Sequence, residues 1–198
     1  FFGFASGENT TVGLYNVFVG SYSGAANTTG GQNTFVGAET GRALTSGFQN
    51  TFVGSRAGRS ATGGVDNILV GFDSGTNLTT GDGNTYIGTR SGQSLTSGRL
   101  NTFIGIGSGG QVTTGIGNLG IGFSAGTQNS TGSGNIFIGN NSGVQTGVQV
   151  TDSIAIGTNV LVGASNTIAF GTASQTTIIN GRFRILNGAS ESTPAVIS

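Results

Sequence analysis

Apolar and polar positions recur along this chain with a period of 17 residues. An Asn opens each coil at Asn16, Asn33, Asn50, Asn67, Asn84, Asn101, Asn118 and Asn135, and apolar residues follow at fixed offsets. The consensus is N-T-F-V-G-x-x-S-G-x-x-L-T-T-G-x-x, as in Asn33-Thr34-Phe35-Val36-Gly37 and Asn50-Thr51-Phe52-Val53-Gly54. A fixed period of this kind marks a repeat architecture in which each coil packs on its neighbours. The third position runs Phe1, Phe18, Phe35, Phe52, Leu69, Tyr86, Phe103, Gly120, Phe137. The fourth runs Phe2, Val19, Val36, Val53, Val70, Ile87, Ile104, Ile121, Ile138.

Adjacent strand residues point to opposite faces, so both faces of this strand need cover. One face can pack inside the coil, and an identical chain in register would cover the other. The core candidates are Phe18, Phe35, Phe52 and Phe137 with Val19, Val36, Val53 and Ile104. Gly holds the fifth and ninth positions of all nine coils and the fifteenth of the first eight, where corners demand positive φ or close backbone approach. The Thr-rich thirteenth and fourteenth positions predict a second, more polar strand. The fold class is thus all-β, a β-solenoid (β-roll or prism) of 17-residue coils. Each coil offers few apolar side chains against the entropy of ordering its residues, so an in-register parallel homotrimer is expected rather than a lone chain.

The rhythm changes after Asn135, which divides the chain into a regular shaft over 1–152, shorter irregular coils over 153–174, and a closing segment over 175–198. Ser153-Ile154-Ala155-Ile156-Gly157 and Asn166-Thr167-Ile168-Ala169-Phe170-Gly171 open the irregular coils. Gln175 to Leu186 reads as a strand pair turning at Asn180-Gly181, a strong hairpin signal. The tail from Asn187 to Ser198, with the single Pro194, reads as a linker into a further domain. The chain opens inside a repeat and carries no Met, so an excerpt from a longer protein is expected.

Composition sharpens this reading. The 198 residues include 40 Gly and only 7% charged residues, far from a helical globular domain. Seven acidic residues balance seven basic ones, all Arg, which leaves no net field to attract nucleic acid or anionic lipid. There is no Cys or His, so disulfides and zinc sites built on those residues are excluded. No apolar run is long enough for a membrane-spanning helix, and direct membrane insertion is not expected.

Candidate chemistry is sparse. Gly105 to Gly110 matches G-x-G-x-x-G, but in a chain where Gly is this common, with no helix following, it carries little weight. Sequons at Asn9, Asn27, Asn77 and Asn129 are expected by chance in an Asn- and Thr-rich sequence. Without His, Cys or Lys, paired carboxylates are the remaining route to catalysis. Asp66 and Asp82 adjoin in coil phase, but read more simply as solvated turn residues. No calcium-roll motif repeats among the acidic residues. No catalytic residue, cofactor or metal is therefore expected. The Asn column reads as a stacked amide ladder. Glu39, Arg56, Asp73 and Arg90 fall at the seventh position of successive coils, alternate in sign, and are expected to form a solvent-facing charge ladder.

The N-T-F-V-G…S-G…T-T-G coils resemble the repeats of trimeric phage tail-fibre-like proteins. More loosely they resemble the heads of trimeric autotransporter adhesins, whose coils carry an Ala-Ile-Gly core like that of Ser153 to Gly157. The likeness covers about residues 1 to 186. It implies a homotrimer, an extracellular, cell-surface or virion location, and adhesion to a cell-surface glycan or protein receptor, and it supplies no catalytic residues. Two other readings stay open: an ice-binding face on the Thr columns, interrupted at Thr62-Gly63 and Ser130-Thr131, and the shaft of a glycan-cleaving tailspike.

Overall fold

Branched and aromatic residues at the second to fourth positions favour strand, and the Gly that follows them ends it. A computed structural model describes residues 1–178 and shows the consequence, a strand of three residues in every regular coil. These are β1 (Val17–Val19), β2 (Thr34–Val36), β3 (Thr51–Val53), β4 (Ile68–Val70), β5 (Thr85–Ile87), β6 (Thr102–Ile104), β7 (Leu119–Ile121) and β8 (Ile136–Ile138). After them come β9 (Gly143–Val144), β10 (Ile154–Ile156), β11 (Leu161–Val162) and β12 (Ile168–Phe170). β1 to β8, β10 and β12 form one ten-stranded parallel sheet, and β9 pairs with β11 in a small second sheet. Phe35 lies opposite Phe52, and Val36 opposite Val53, so the sequence period is also the sheet register. No helix occurs among the described residues. The chain is a β-solenoid. The hairpin expected at Asn180-Gly181 and the tail beyond it lie outside the described residues.

The interior is lined by the third, eighth and twelfth positions. Phe18, Phe35 and Phe52 are fully buried and stack face to face, with ring centroids 4.9 and 4.7 Å apart, close to the spacing of paired strands. Leu44, Leu78, Leu95 and Val112 oppose them from the twelfth position. Buried Ser side chains of the eighth position donate to third-position carbonyls of the next coil, Ser91 Oγ to Phe103 O at 2.8 Å and Ser108 Oγ to Gly120 O at 3.0 Å. Gly120 interrupts the aromatic stack, and the core divides there into two clusters. The first ends at Val112, and the second joins Ala125, Phe137, Val144, Val150, Ala155, Val160 and Val162.

Val19, Val36, Val53 and Ile104 are not part of this core. They lie on the outer face of the sheet, Val19 and Val36 exposed and Val53 and Ile104 half-buried. The alternation that buries Phe18 turns Val19 outward, so within one chain the fourth position is surface. The second expected strand is also absent. At the thirteenth position the Thr hydroxyl competes for backbone acceptors and stabilises a stacked turn instead. Thr45 N–H and Oγ1 both donate to Thr62 O, at 3.1 and 2.8 Å, and Thr79 repeats the pattern on Thr96 O at 2.8 and 2.9 Å.

Each regular coil also places non-glycine residues in the left-handed region. Glu39, Arg56, Asp73 and Arg90 at the seventh position have φ of 56 to 61°, and Gln32, Gln49, Asp66 and Leu100 at the seventeenth have φ of 58 or 59°. Such a conformation costs roughly 1–2 kcal/mol per residue. Bonding between coils offsets it, because these residues donate their N–H to the preceding coil: Arg56 to Ala38 O at 2.9 Å, Arg90 to Phe72 O at 2.9 Å and Gln32 to Leu14 O at 2.9 Å.

Tyr86 is the anomaly of the aromatic column. Burial pushes its phenol well above the ordinary range. The Asn101 amide is already committed to Asn84 Oδ1 and Gly115 O, and the buried Tyr86 hydroxyl has no hydrogen-bond partner. A buried, unpaired hydroxyl costs about 1–3 kcal/mol. Tyr86→Phe, which restores the residue found in most coils, is therefore expected to raise stability by about 1 kcal/mol per chain. A urea midpoint that fell on this substitution would show that the hydroxyl is paired.

Candidate functional site

The Asn column forms a continuous ladder at the seam of the coil. Asn33 through Asn135 are buried, and Asn16 is half-buried at the start. Asn50 N–H and Nδ2 both donate to Asn33 Oδ1 at 3.0 Å, and the pattern repeats at Asn67, Asn84, Asn101, Asn118 and Asn135. Nδ2 also donates to the fifteenth-position Gly carbonyl of its own coil, as from Asn67 to Gly81 O at 2.8 Å. One side chain thus ties a coil to its predecessor and closes its own waist. Ser153 N–H ends the ladder on Asn135 Oδ1 at 3.0 Å. With their polar atoms so engaged, these side chains have little capacity left for a ligand.

The four alternating charges do not make a ladder. Arg56 meets the carboxylate of Asp73 through Nε and Nη2, each at 2.8 Å, and its guanidinium lies 4.6 Å from the Phe72 ring centroid. Asp73 is buried rather than solvent-facing. Glu39 turns away from Arg56 to Arg59 at 2.8 Å and Arg42 at 3.6 Å, both at the tenth position. Arg90 makes no ion pair among the described residues. Tenth-position arginines thus compete with seventh-position Arg56 for Glu39, and only the Arg56–Asp73 rung of the expected ladder forms.

Among the described residues, the candidate carboxylates Asp66 and Asp82 serve the turns. Asp82 Oδ1 accepts the Val65 N–H at 2.9 Å, a turn-capping role, and Asp66 is exposed. In the G-x-G-x-x-G match, the N–H groups of Gly105, Gly107 and Gly109 donate to Ile87 O, Thr89 O and Ala125 O, so they offer no cradle to a phosphate. Of the sequon residues, Asn27 and Asn129 are buried while Asn9 and Asn77 are exposed. Among the described residues, no three His, Cys, Asp or Glu side chains come together as a metal site.

The surface that stands out is the outer face of the ten-stranded sheet. Its second and fourth columns contain only Thr and aliphatic or aromatic residues, with Val17, Val19, Val36, Ile68, Ile87, Ile121, Ile168 and Phe170 exposed. Ten strands at about 4.8 Å spacing make a stripe about 43 Å long and, at three residues wide, roughly 400 Å² in area. It is flanked on one side by exposed Phe4, Phe72, Ile106 and Phe123 of the sixth position, and on the other by Leu14, Phe48 and Ile116 of the sixteenth. Its continuity along ten strands and its lack of charge make it the surface best suited to contact another protein. The second position and both flanks are the residues that reading strand faces alone passes over. Their signal was present as apolar residues in Val17, Ile68, Leu119 and Ile136, diluted by Thr in the other coils.

No protein-family model matches the chain, and neither does any curated protein or solved structure. The surfaces have to be read from their own chemistry.

Proposed function

We propose that this chain is a non-catalytic shaft segment of an extracellular fibre, in which three copies stand parallel and in register with their outer sheet faces turned to a common axis. The observation that supports this is the uncharged, partly exposed stripe of the second and fourth columns, flanked by apolar residues in about half of the coils and by Asp82 and Arg99 at the sixteenth position of two others. A stripe with one flank at the sixth position and another at the sixteenth suits a cyclic assembly, where the sixth-position edge of one copy meets the sixteenth-position edge of the next. The number three rests on the resemblance of the coils to trimeric tail fibres and adhesins. Such an assembly needs no cofactor and no nucleic acid, and its adhesive partner is a glycan or protein on a cell surface.

Sedimentation equilibrium tests the proposal. The expected mass is three times the 19.6 kDa of the chain. A Val36→Glu, Val53→Glu double variant is expected to lose the trimer mass, whereas the same double change at exposed Ser21 and Ser46 should keep it. A wild-type protein that stays monomeric at micromolar concentration would defeat the trimer. The ice-binding face expected at the thirteenth and fourteenth positions has its thirteenth-position hydroxyls bonded to the next coil, as Thr45 Oγ1 is to Thr62 O at 2.8 Å, and such a use would pass to this face, where Thr34 lies opposite Thr51 and Thr85 opposite Thr102. Thermal hysteresis in a monomeric sample would favour that ice-binding reading. Ile68, Leu119 and Ile136 break the Thr column and favour protein contact instead.

A further inference from the structure

We propose that a groove beside the small β9–β11 sheet binds a neutral saccharide. The groove has a volume of about 320 Å³, within the range of small-ligand sites, about 300–1,000 Å³. It opens where two features of the repeat change together. In the upper coils the seventh position holds bulky side chains (Tyr22, Glu39, Arg56, Asp73 and Arg90), whereas below them it shrinks to Gly107 and Ser124. From the coil of Asn135 onward the coil length also departs from 17 residues, and β9 and β11 replace the stacked turns.

The lining is amide and hydroxyl over an aliphatic floor. Gln111 and Gln128 form one wall, and their side-chain amides make no hydrogen bond among the described residues. Asn141 Nδ2 donates to Asn159 Oδ1 at 3.3 Å, which leaves Asn141 Oδ1 free to accept and Asn159 Nδ2 free to donate. Thr127 Oγ1 donates within the fold, to Ser124 O or Gly107 O, and retains acceptor capacity. Val144 and Leu161 supply the apolar surface.

This set discriminates among ligand classes. Among the described residues, no charged side chain lines the groove, so a phosphate, sulfate or carboxylate sugar finds no counter-charge there and a metal ion finds no carboxylate. A sugar's vicinal hydroxyls each donate and accept, as the paired amides do, and its C–H face matches Leu161. The inference names the adhesive partner of the fibre and rests on that reading for its purpose. The groove itself is complete within one chain, so binding and assembly can fail separately.

The test uses the full chain on an array of neutral, sialylated and sulfated oligosaccharides, followed by NMR titration with the strongest neutral binder. The companion variant is Ser124→Arg, which refills the groove. Its backbone (φ 52°) resembles that of Arg56 (φ 61°) and Arg90 (φ 57°) at the same coil position, so the variant is expected to fold. Selective binding of a neutral oligosaccharide, weakened tenfold or more by Ser124→Arg at unchanged mass and circular dichroism, is the expected result. Preference for acidic glycans, binding indifferent to Ser124→Arg, or no neutral binding at millimolar concentration would each overturn it. A monomer that still bound the neutral sugar would remove the trimer and keep the groove.

Discussion

Gly54→Val is expected to destabilise this protein more than any substitution on its surface. Gly54 ends β3 with φ of 128°, a region that a β-branched residue avoids. A Cβ there would also lie 2.5 Å from Gly71 O and 2.7 Å from Gly71 C, backbone atoms of the next coil. Gly71 cannot retreat cheaply, because its N–H is bonded to Val53 O at 2.8 Å. Relief requires the two coils to separate and the ladder between them to open. In a solenoid stability is the sum of coils and their interfaces, so one broken interface threatens to split the shaft into two weaker units. A loss of about 4 kcal/mol or more is expected, in the range of severe core lesions. Gly63→Ala is the control. An added Cβ there meets nothing within 4 Å and φ is not positive, so the change should be neutral or slightly stabilising. Equal urea midpoints for Gly54→Val and Gly63→Ala would refute the argument.

The same comparison shows what could be read from the chain. Register was legible because the period of side chains is the period of the sheet, and a misplaced strand would bury Val36 in place of Phe35. The fifth and ninth corners were legible because only Gly fits them. At Gly41, for example, a Cβ would stand 2.5 Å from the Phe35 ring. The left-handed seventh and seventeenth positions were hidden. Their φ is held by N–H groups bonded to the coil before, and their side chains vary freely through Glu39, Arg56 and Asp73 or Gln32, Gln49 and Leu100. Thr45 and Thr62 favour strand by propensity, but their hydroxyls bond the backbone of the next coil and make a turn. The groove was hidden for another reason: it opens at the small Ser124 beside a change in coil length.

Asn67→Asp tests the amide ladder with almost no change of shape. Asn67 Nδ2 donates to Asn50 Oδ1 at 3.0 Å and Gly81 O at 2.8 Å, while its Oδ1 accepts from Asn84 N and Nδ2, both at 3.0 Å. In the variant a carboxylate oxygen replaces the donor and faces two acceptors in a site with no solvent access. The ionised form is therefore disfavoured in the fold, and the introduced carboxyl has a raised folded pKa relative to about 3.9 in the unfolded chain. Below the unfolded value both states carry the proton, the acid O–H can still donate to Gly81 O, and the variant keeps most of its stability. As pH rises through the window between the unfolded and folded values, the unfolded chain releases its proton first and stability falls. Near pH 7 the loss is expected to reach about 3–5 kcal/mol, the range for an uncompensated buried charge. Urea unfolding at pH 4 and pH 7 decides the matter: if the gap between wild type and Asn67→Asp is the same at both, the column does not work as a chain of buried donors and acceptors.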